Sequence, residues 1–164
     1  MKEVFRNLFV CNQVDYENSV LPESEYSIVL AAKEPFHRSA LGYTGRAASK
    51  LDPEYLIARR DNKLILNLVD APKAEFFNKD IIDTALYFIE DELLDGKKVV
   101  IICNKGESRS ASIAMLFLIK NGTLDFDNFV DIEAKFMSLY PPYNPGDGMR
   151  GFVLENWEKY SLPF

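Results

Sequence analysis

The sequence predicts an α/β layer fold, a central sheet flanked by helices, and three observations carry that reading. Short apolar runs at 4–10, 26–32, 63–69 and 99–102 read as strands, the last of them, Val99-Val100-Ile101-Ile102, as a buried one. The stretches 80–94 and 125–139 instead repeat their apolar residues at helical spacing. Strands and helices therefore alternate along the chain, which is the pattern of layered α/β proteins.

Taken in order, Val4 to Val10 is the first expected strand and Tyr26 to Ala32 the second, centred on Ser27-Ile28-Val29-Leu30. Residues 33–52, with Gly42 and Gly45, form a long irregular connection, and such a loop inside a compact domain is usually functional or mobile. Asp52-Pro53-Glu54 reads as an N-cap, an N1 proline and an acidic first turn, opening a short helix to Arg60. Asp61-Asn62 turns the chain into the strand Lys63 to Val69. Asp70-Ala71-Pro72-Lys73 ends that strand, because proline lacks the N–H a ladder needs.

Ile81, Ile82, Ala85, Leu86, Phe88, Ile89 and Leu93 mark a helix from Asp80 to Leu94, stopped by Asp95-Gly96. After the 99–102 strand, Ala111 to Lys120 reads as a buried helix, Asp125 to Leu139 as an amphipathic one, and Phe152 to Tyr160 as a short last one carrying Trp157. With no repeat, low-complexity tract or linker, residues 1–164 are expected to form one domain.

The chemistry is concentrated in Cys103-Asn104-Lys105-Gly106-Glu107-Ser108-Arg109-Ser110, between the buried strand and the buried helix. A tight loop ahead of a helix N-terminus aims successive backbone N–H groups at one spot, and the helix dipole makes that spot favourable for an anion. Gly106 suits a backbone that curls closely around a ligand. Arg109 adds a planar fork that matches two phosphate oxygens. Those dipoles and Arg109 favour the ionised sulfur of Cys103. Phosphate over a thiolate is an arrangement for phosphoryl transfer to sulfur. A bare Cys-x5-Arg spacing is weak evidence, and its plain alternative is a buried strand-end cysteine beside an ion-paired arginine; the strand, Gly106, Ser110 and the apolar helix around it make it specific.

With its Gly-x-x-Arg-Ser ending, this run resembles the signature loop of the cysteine-dependent protein tyrosine phosphatases, in their dual-specificity branch. Leu64-Ile65-Leu66-Asn67-Leu68-Val69-Asp70 is similar to that branch's strand and general-acid aspartate, and Asp80 to Leu94 to the helix before the signature strand. Tyr143 to Phe152 resembles the Asn-Pro segment ahead of the last helix. Residues 32–38 and 41–46 resemble a form found in bacterial and bacteriophage-encoded members. The likeness spans about residues 1–160.

It implies a central, twisted, mostly parallel sheet flanked by helices. It also implies a phosphatase acting on phosphomonoesters, phosphotyrosine, phosphoserine or phosphothreonine on proteins, through a phosphocysteine on Cys103. Arg109 holds the phosphate, Asp70 is the acid, and Ser110 hydrogen-bonds the sulfur. Asn104, Lys105, Gly106, Glu107, Ser108 and Arg109 line the substrate. No cofactor or metal is expected, and the setting is cytoplasmic, the host's cytoplasm for a phage-encoded chain.

Two residues depart from the family pattern. Ile102 stands where the family has a histidine that organises the loop, and Ala111 where related members often carry proline. Ile102 is the main support for a different reading, a phosphate-recognising module with little turnover. A phosphatase for a nucleotide, RNA or lipid phosphate is a further alternative. A sulfur-transfer enzyme of the rhodanese or arsenate-reductase kind would leave Gly106, Ser110 and Asp70 without roles. Taken singly, Asp70 reads as an Asx-turn residue before Pro72, Cys11 as a small buried residue or a backup thiol, and His37 as a surface residue or one approaching the site. Asn144 orients water or caps a helix.

Composition narrows the rest. At 164 residues, 48% apolar and 13% aromatic, the chain can build a proper core. No apolar run reaches the roughly 18 residues of a membrane span, and Met1 to Arg6 lacks a signal-peptide core. Two cysteines make no disulfide framework, and with one histidine they argue against zinc. The net charge of −6 disfavours broad nucleic-acid binding. Residues 33–60 run the other way at +3, reading as a solvated face or as a basic rim that draws in an anionic substrate.

Overall fold

The computed structural model describes residues 1–23 and 25–162; Ser24, Pro163 and Phe164, which the one-domain reading of 1–164 includes, lie outside the described residues. Six strands form one sheet: β1 (Lys2–Phe5), β2 (Leu8–Asn12), β3 (Tyr26–Leu30), β4 (Ile57–Arg60), β5 (Lys63–Leu66) and β6 (Lys98–Cys103). Their spatial order is β1-β2-β6-β3-β5-β4. The inner four are parallel, and an antiparallel hairpin partner closes each edge. The sheet is thus mostly parallel, as expected. The helices are α1 (Gln13–Asp15), α2 (Arg38–Leu41), α3 (Lys79–Leu94), α4 (Arg109–Lys120), α5 (Phe129–Leu139) and α6 (Asp147–Ser161).

Strand β6 shows why the sheet is covered on both faces. Val99, Ile101 and Cys103 pack into the cluster that α3, α4, α5 and α6 complete. Val100 and Ile102 point the other way, to Cys11, Ile28, Leu30, Ala58 and Ile65, under Tyr16, Val20 and Phe36. A strand buried on both faces reads as one continuous apolar run. Helix α4 is buried from Ser110 to Ile119 without a polar face, as befits the helix between the sheet and the outer helices.

Several expected elements are corrected. Residues 33–41, expected to be irregular, are helical, a π-helix over Lys33–His37 running into α2, and β5 stops at Leu66 rather than Val69. The strand expected over 4–10 is a hairpin: Asn7 takes φ 65° and donates its N–H to Glu3 Oε1 at 2.8 Å, so Phe5 pairs with Leu8. The helix expected from Asp52 to Arg60 is not formed. Asp52 Oδ1 accepts from Glu54 N at 2.8 Å, but this closes a local turn. The Glu54 carboxylate then takes Arg59 N at 2.9 Å and Arg60 Nη1 at 2.8 Å, and 57–60 becomes edge strand β4, turned into β5 through Asp61 at φ 51°.

Helix α5 begins at Phe129, four residues after the expected Asp125, because Asn128 is the cap, its Oδ1 accepting from Asp131 N. Helix α6 begins at Asp147, five residues before the expected Phe152. Where its first turn packs decides much about the site. Among the described residues no helix is long and apolar enough to cross a membrane.

Candidate active site

Strand β6 delivers Cys103 to the C-terminal end of the sheet, between β2 and β3, and α4 starts six residues later at Arg109. In parallel sheets this edge is where ligand crevices form. Gly106 takes φ 70°, and a Cβ there would lie 2.9 Å from Asn12 N and 3.0 Å from Cys11 C. Only glycine meets both demands.

The loop's carbonyls are drawn outward by the scaffold. Gln13 N donates to Asn104 O at 3.2 Å, Tyr140 Oη to Gly106 O at 2.5 Å, and Asn144 N to Glu107 O at 2.9 Å. Asn104 Nδ2 donates to Gln13 Oε1 at 3.0 Å and to Glu34 O at 2.9 Å. Burial keeps Tyr140 protonated far above the ordinary tyrosine range, so it stays a donor. In contrast, the N–H groups of Lys105 to Arg109 donate to none of the described residues. Turning carbonyls out and N–H groups free is how a backbone makes an anion nest.

Arg109 is fixed without being neutralised. Nη1 donates to Leu68 O at 2.9 Å and Nη2 to Asn104 Oδ1 at 2.6 Å. Its Nε is buried with no partner. A buried donor left unmade costs about 1–3 kcal/mol, which an incoming anion would relieve. Ser110 Oγ lies 3.1 Å from Cys103 Sγ, both buried. Asp70 is exposed on the segment after β5, where Ser108 Oγ donates to its Oδ1 at 3.2 Å. Asp70, Cys103, Asn104, Lys105, Glu107, Ser108 and Arg109 border one cleft of about 440 Å³, together with Asn144, Pro145 and Gly146.

The remaining sequence candidates lie elsewhere. His37 is not a surface residue: it is fully buried, with Nδ1 3.0 Å from Tyr43 Oη and Nε2 2.9 Å from Glu54 O. A carbonyl only accepts, so Nε2 carries the proton and Nδ1 accepts from the tyrosine. The ring pins the 43–54 segment. Ile102 is fully buried on the face opposite Cys103. Asn144 does not cap α6, since the cap position is Gly146.

In the basic 33–60 segment, Arg38 pairs with Glu34 at 2.7 Å and Arg60 with Glu54 at 2.8 Å. Arg46, Lys50 and Arg59 form no ion pair among the described residues. The segment does touch the site's wall, through Lys33 N donating to Leu68 O at 2.9 Å. Among the described residues no group of three or more His, Cys, Asp or Glu is placed to hold a metal ion.

Cys11 is also sealed on that opposite face, and burial pushes its thiol up to about 12. Alkylation needs the thiolate. Iodoacetamide at about pH 8 is therefore expected to spare Cys11 in the native protein and to label both cysteines after denaturation, which peptide mass mapping reads directly.

The parts played by Tyr140, Gln13 and the Leu68 carbonyl have no sequence signal. Tyr140 ends an amphipathic helix pattern and carries no motif. The Leu68 contribution is a carbonyl, which any residue has.

Beside the cleft, Glu133 accepts from Arg150 Nε at 2.9 Å and from Tyr143 Oη at 2.7 Å, tying α5 to α6. Burial alone would raise the Glu133 carboxyl, but the hydrogen bonds from Arg150 and Tyr143 and the Arg150 charge win and hold it below its ordinary range. A depressed carboxyl contributes stability that is full above its unfolded value, about 4.3, and lost as pH falls through the folded one. Glu133→Gln is expected to lower the melting temperature at neutral pH, with the gap to wild type narrowing below about pH 4; urea titrations at both pH values check this.

No protein-family model matches the sequence, and no curated protein does. Solved structures match along nearly the whole chain. The crystal structure of DUSP15 aligns with TM-score 0.67 at 18% identity, over 98% of this chain and 89% of that one. The human tyrosine phosphatase-like serine/threonine/tyrosine-interacting protein aligns with TM-score 0.67 at 19% identity, over 99% and 98%. PTPMT1 in complex with PI(5)P aligns with TM-score 0.61 at 14% identity, over 97% and 95%. The sheet order, the helices around it and these alignments agree: the chain has the fold of the dual-specificity phosphatases.

Proposed function

We propose that the chain, read as a single catalytic domain over 1–164, hydrolyses phosphomonoesters in two steps through Cys103. In the first, the Cys103 thiolate attacks phosphorus; the S–P bond forms as the P–O bond to the leaving group breaks, and Asp70 gives its proton to that oxygen. The loop N–H groups and the Arg109 guanidinium hold the three equatorial oxygens, where charge collects in the transition state. In the second, water attacks phosphorus, Asp70 takes its proton, and the S–P bond breaks with Ser110 donating to the departing sulfur. Asn104, Lys105, Gly106, Glu107 and Ser108 shape the cradle.

One observation carries the reading: among the described residues the N–H groups of 105–109 and Arg109 Nε, all on the loop that starts at Cys103, have no partner. Substrates are phosphotyrosine, phosphoserine or phosphothreonine on proteins. A cytoplasmic setting is read from the cysteine usage, which fits a reducing compartment, and a bacterial or bacteriophage-type origin from the resemblance at 32–38 and 41–46.

The second reading, a phosphate-binding module with little turnover, has Ile102 in its favour: it is buried on the far face and offers the loop no donor. Phosphate release from p-nitrophenyl phosphate, with orthovanadate as competitor, separates the two. Vanadate-sensitive turnover supports the enzyme. Vanadate binding without any phosphate release overturns it in favour of the module.

A further inference from the structure

Asp70 needs a defined direction to act as an acid, and little holds it. It lies on an irregular stretch after β5, its side chain is exposed, and among the described residues it has no ion-pair partner. Among the described residues its one polar tether is Ser108 Oγ at 3.2 Å, on Oδ1. We propose that Ser108 is a positioning residue for Asp70, tying the acid to the phosphate cradle and leaving Oδ2 as the oxygen that faces the leaving group. The proposal rests on the reading of Asp70 as the general acid.

The hydrogen-bond inventory of one hydroxyl decides the direction of the tether. A serine hydroxyl has one proton and two lone pairs. Gly146 N donates to Ser108 Oγ at 3.0 Å, which occupies a lone pair and cannot be reversed, because a backbone N–H only donates. The hydroxyl proton is then free for Asp70 Oδ1, the acceptor beside it. Ser108 is itself held, being 7% exposed and adjacent in the chain to Arg109.

The consequence is chemical. A protonated carboxyl has one carbonyl oxygen, which accepts, and one hydroxyl oxygen, which donates. Ser108 donates to Oδ1, so Oδ1 is kept as the acceptor and the transferable proton sits on Oδ2. When that proton passes to the leaving oxygen, the resulting carboxylate keeps the same Ser108 bond on Oδ1, and Oδ2 is free to take the proton of water in the second step. The backbone supports the same placement. The Asp70 carboxyl packs closely against Gly146, where a Cβ would meet Oδ1 at 3.1 Å and Cγ and Oδ2 at 3.4 Å. The loop that carries the cradle, the Asp70 segment and the wall at Gly146 thus converge on one hydroxyl.

The test is a leaving-group series on the full chain, from p-nitrophenyl phosphate through phenyl phosphate to an alkyl phosphate. Good leaving groups need little protonation and poor ones need much. Ser108→Ala is expected to lose about tenfold more kcat/KM on phenyl phosphate than on p-nitrophenyl phosphate, the size of one charge-assisted hydrogen bond. In an Asp70→Asn background the same change is expected to add no leaving-group dependence, since the two residues act as one unit. Ser108→Thr and Ser108→Val differ only in the hydroxyl, so their comparison holds even if Ser108→Ala folds poorly. Threonine is expected to keep the leaving-group profile and valine to lose it.

A profile that steepens in Asp70→Asn but falls uniformly in Ser108→Ala, with Thr and Val alike, overturns the positioning role and leaves the acid standing. A flat profile in Asp70→Asn itself overturns the acid assignment, and the positioning role with it.

Discussion

Serine in place of Cys103 is expected to abolish phosphate release while leaving phosphate binding almost unchanged. The two halves of that result have separate physical origins. Turnover needs a sulfur nucleophile, and a hydroxyl in the same place is far less ionised. Loss of a nucleophile that acts as part of a unit lowers rates by roughly 10⁴–10⁶-fold. Binding needs the N–H groups of residues 105–109 and the Arg109 fork, none of which belongs to residue 103. The exchange also removes little from the packing, since oxygen can keep the bond that Ser110 Oγ makes at 3.1 Å. Phosphate release measured beside the affinity for inorganic phosphate reads both halves. Turnover near wild type in Cys103→Ser would rule out covalent catalysis at this residue, and loss of anion binding would show that the loop depends on the sulfur for its shape.

Gly148→Ala is expected to be the most damaging single-methyl addition outside the loop. A Cβ at 148 would fall 2.0 Å from Ala71 O, 2.7 Å from Lys73 N and 2.8 Å from Pro72 C, all of them backbone atoms. The first turn of α6 is therefore seated directly on the segment that follows Asp70. Alanine would gain up to about 1 kcal/mol of helix propensity. Overpacking a tight site costs about 1–3 kcal/mol, occasionally more, so the clash wins. For a chain of this size each kcal/mol lowers Tm by roughly 2–4 °C. Residues 71–73 must move, and Asp70 moves with them, so turnover of poor leaving groups should fall further than that of good ones. Gly45→Ala, where a Cβ would meet nothing within 4 Å, is the control expected to change neither. A Gly148→Ala protein with wild-type Tm and activity would show that the Asp70 segment yields freely and is not braced by α6.

What could be read from the sequence was local. The strand 99–102, the loop from Cys103 and the helix through Lys120 are contiguous, and each depends on neighbours one to four residues away. The alternation of Ile102 and Cys103 across β6 follows from strand geometry alone. The segment 52–60 misled because Asp-Pro-Glu fits both a helix start and an Asx turn; pairing with β5 and burial of Ala58 decided in favour of the strand. His37 misled in the same way, since its partners Tyr43 and Glu54 meet it only after the connection folds back.

The site divides along the same line. The cradle residues 104–109 were visible as a motif. The bond between Ser108 and Asp70 joins residues 38 apart in the chain, and the seat of Gly148 on Ala71 joins α6 to a loop before α3. No periodicity or spacing carries such pairings. Tyr140 was invisible for another reason: its contribution is a single hydroxyl on the Gly106 carbonyl, and its position continues an ordinary amphipathic pattern.

A phosphoryl group on the Cys103 sulfur is detectable as a mass shift of its peptide. The protein is mixed with excess p-nitrophenyl phosphate, quenched with denaturant within milliseconds and near neutral pH, and digested for peptide mass mapping. A single phosphoryl adduct on the peptide containing Cys103, absent from Cys103→Ser, is the predicted result. Steady phosphate release with no adduct at any quench time, or with the adduct on another residue, would contradict it.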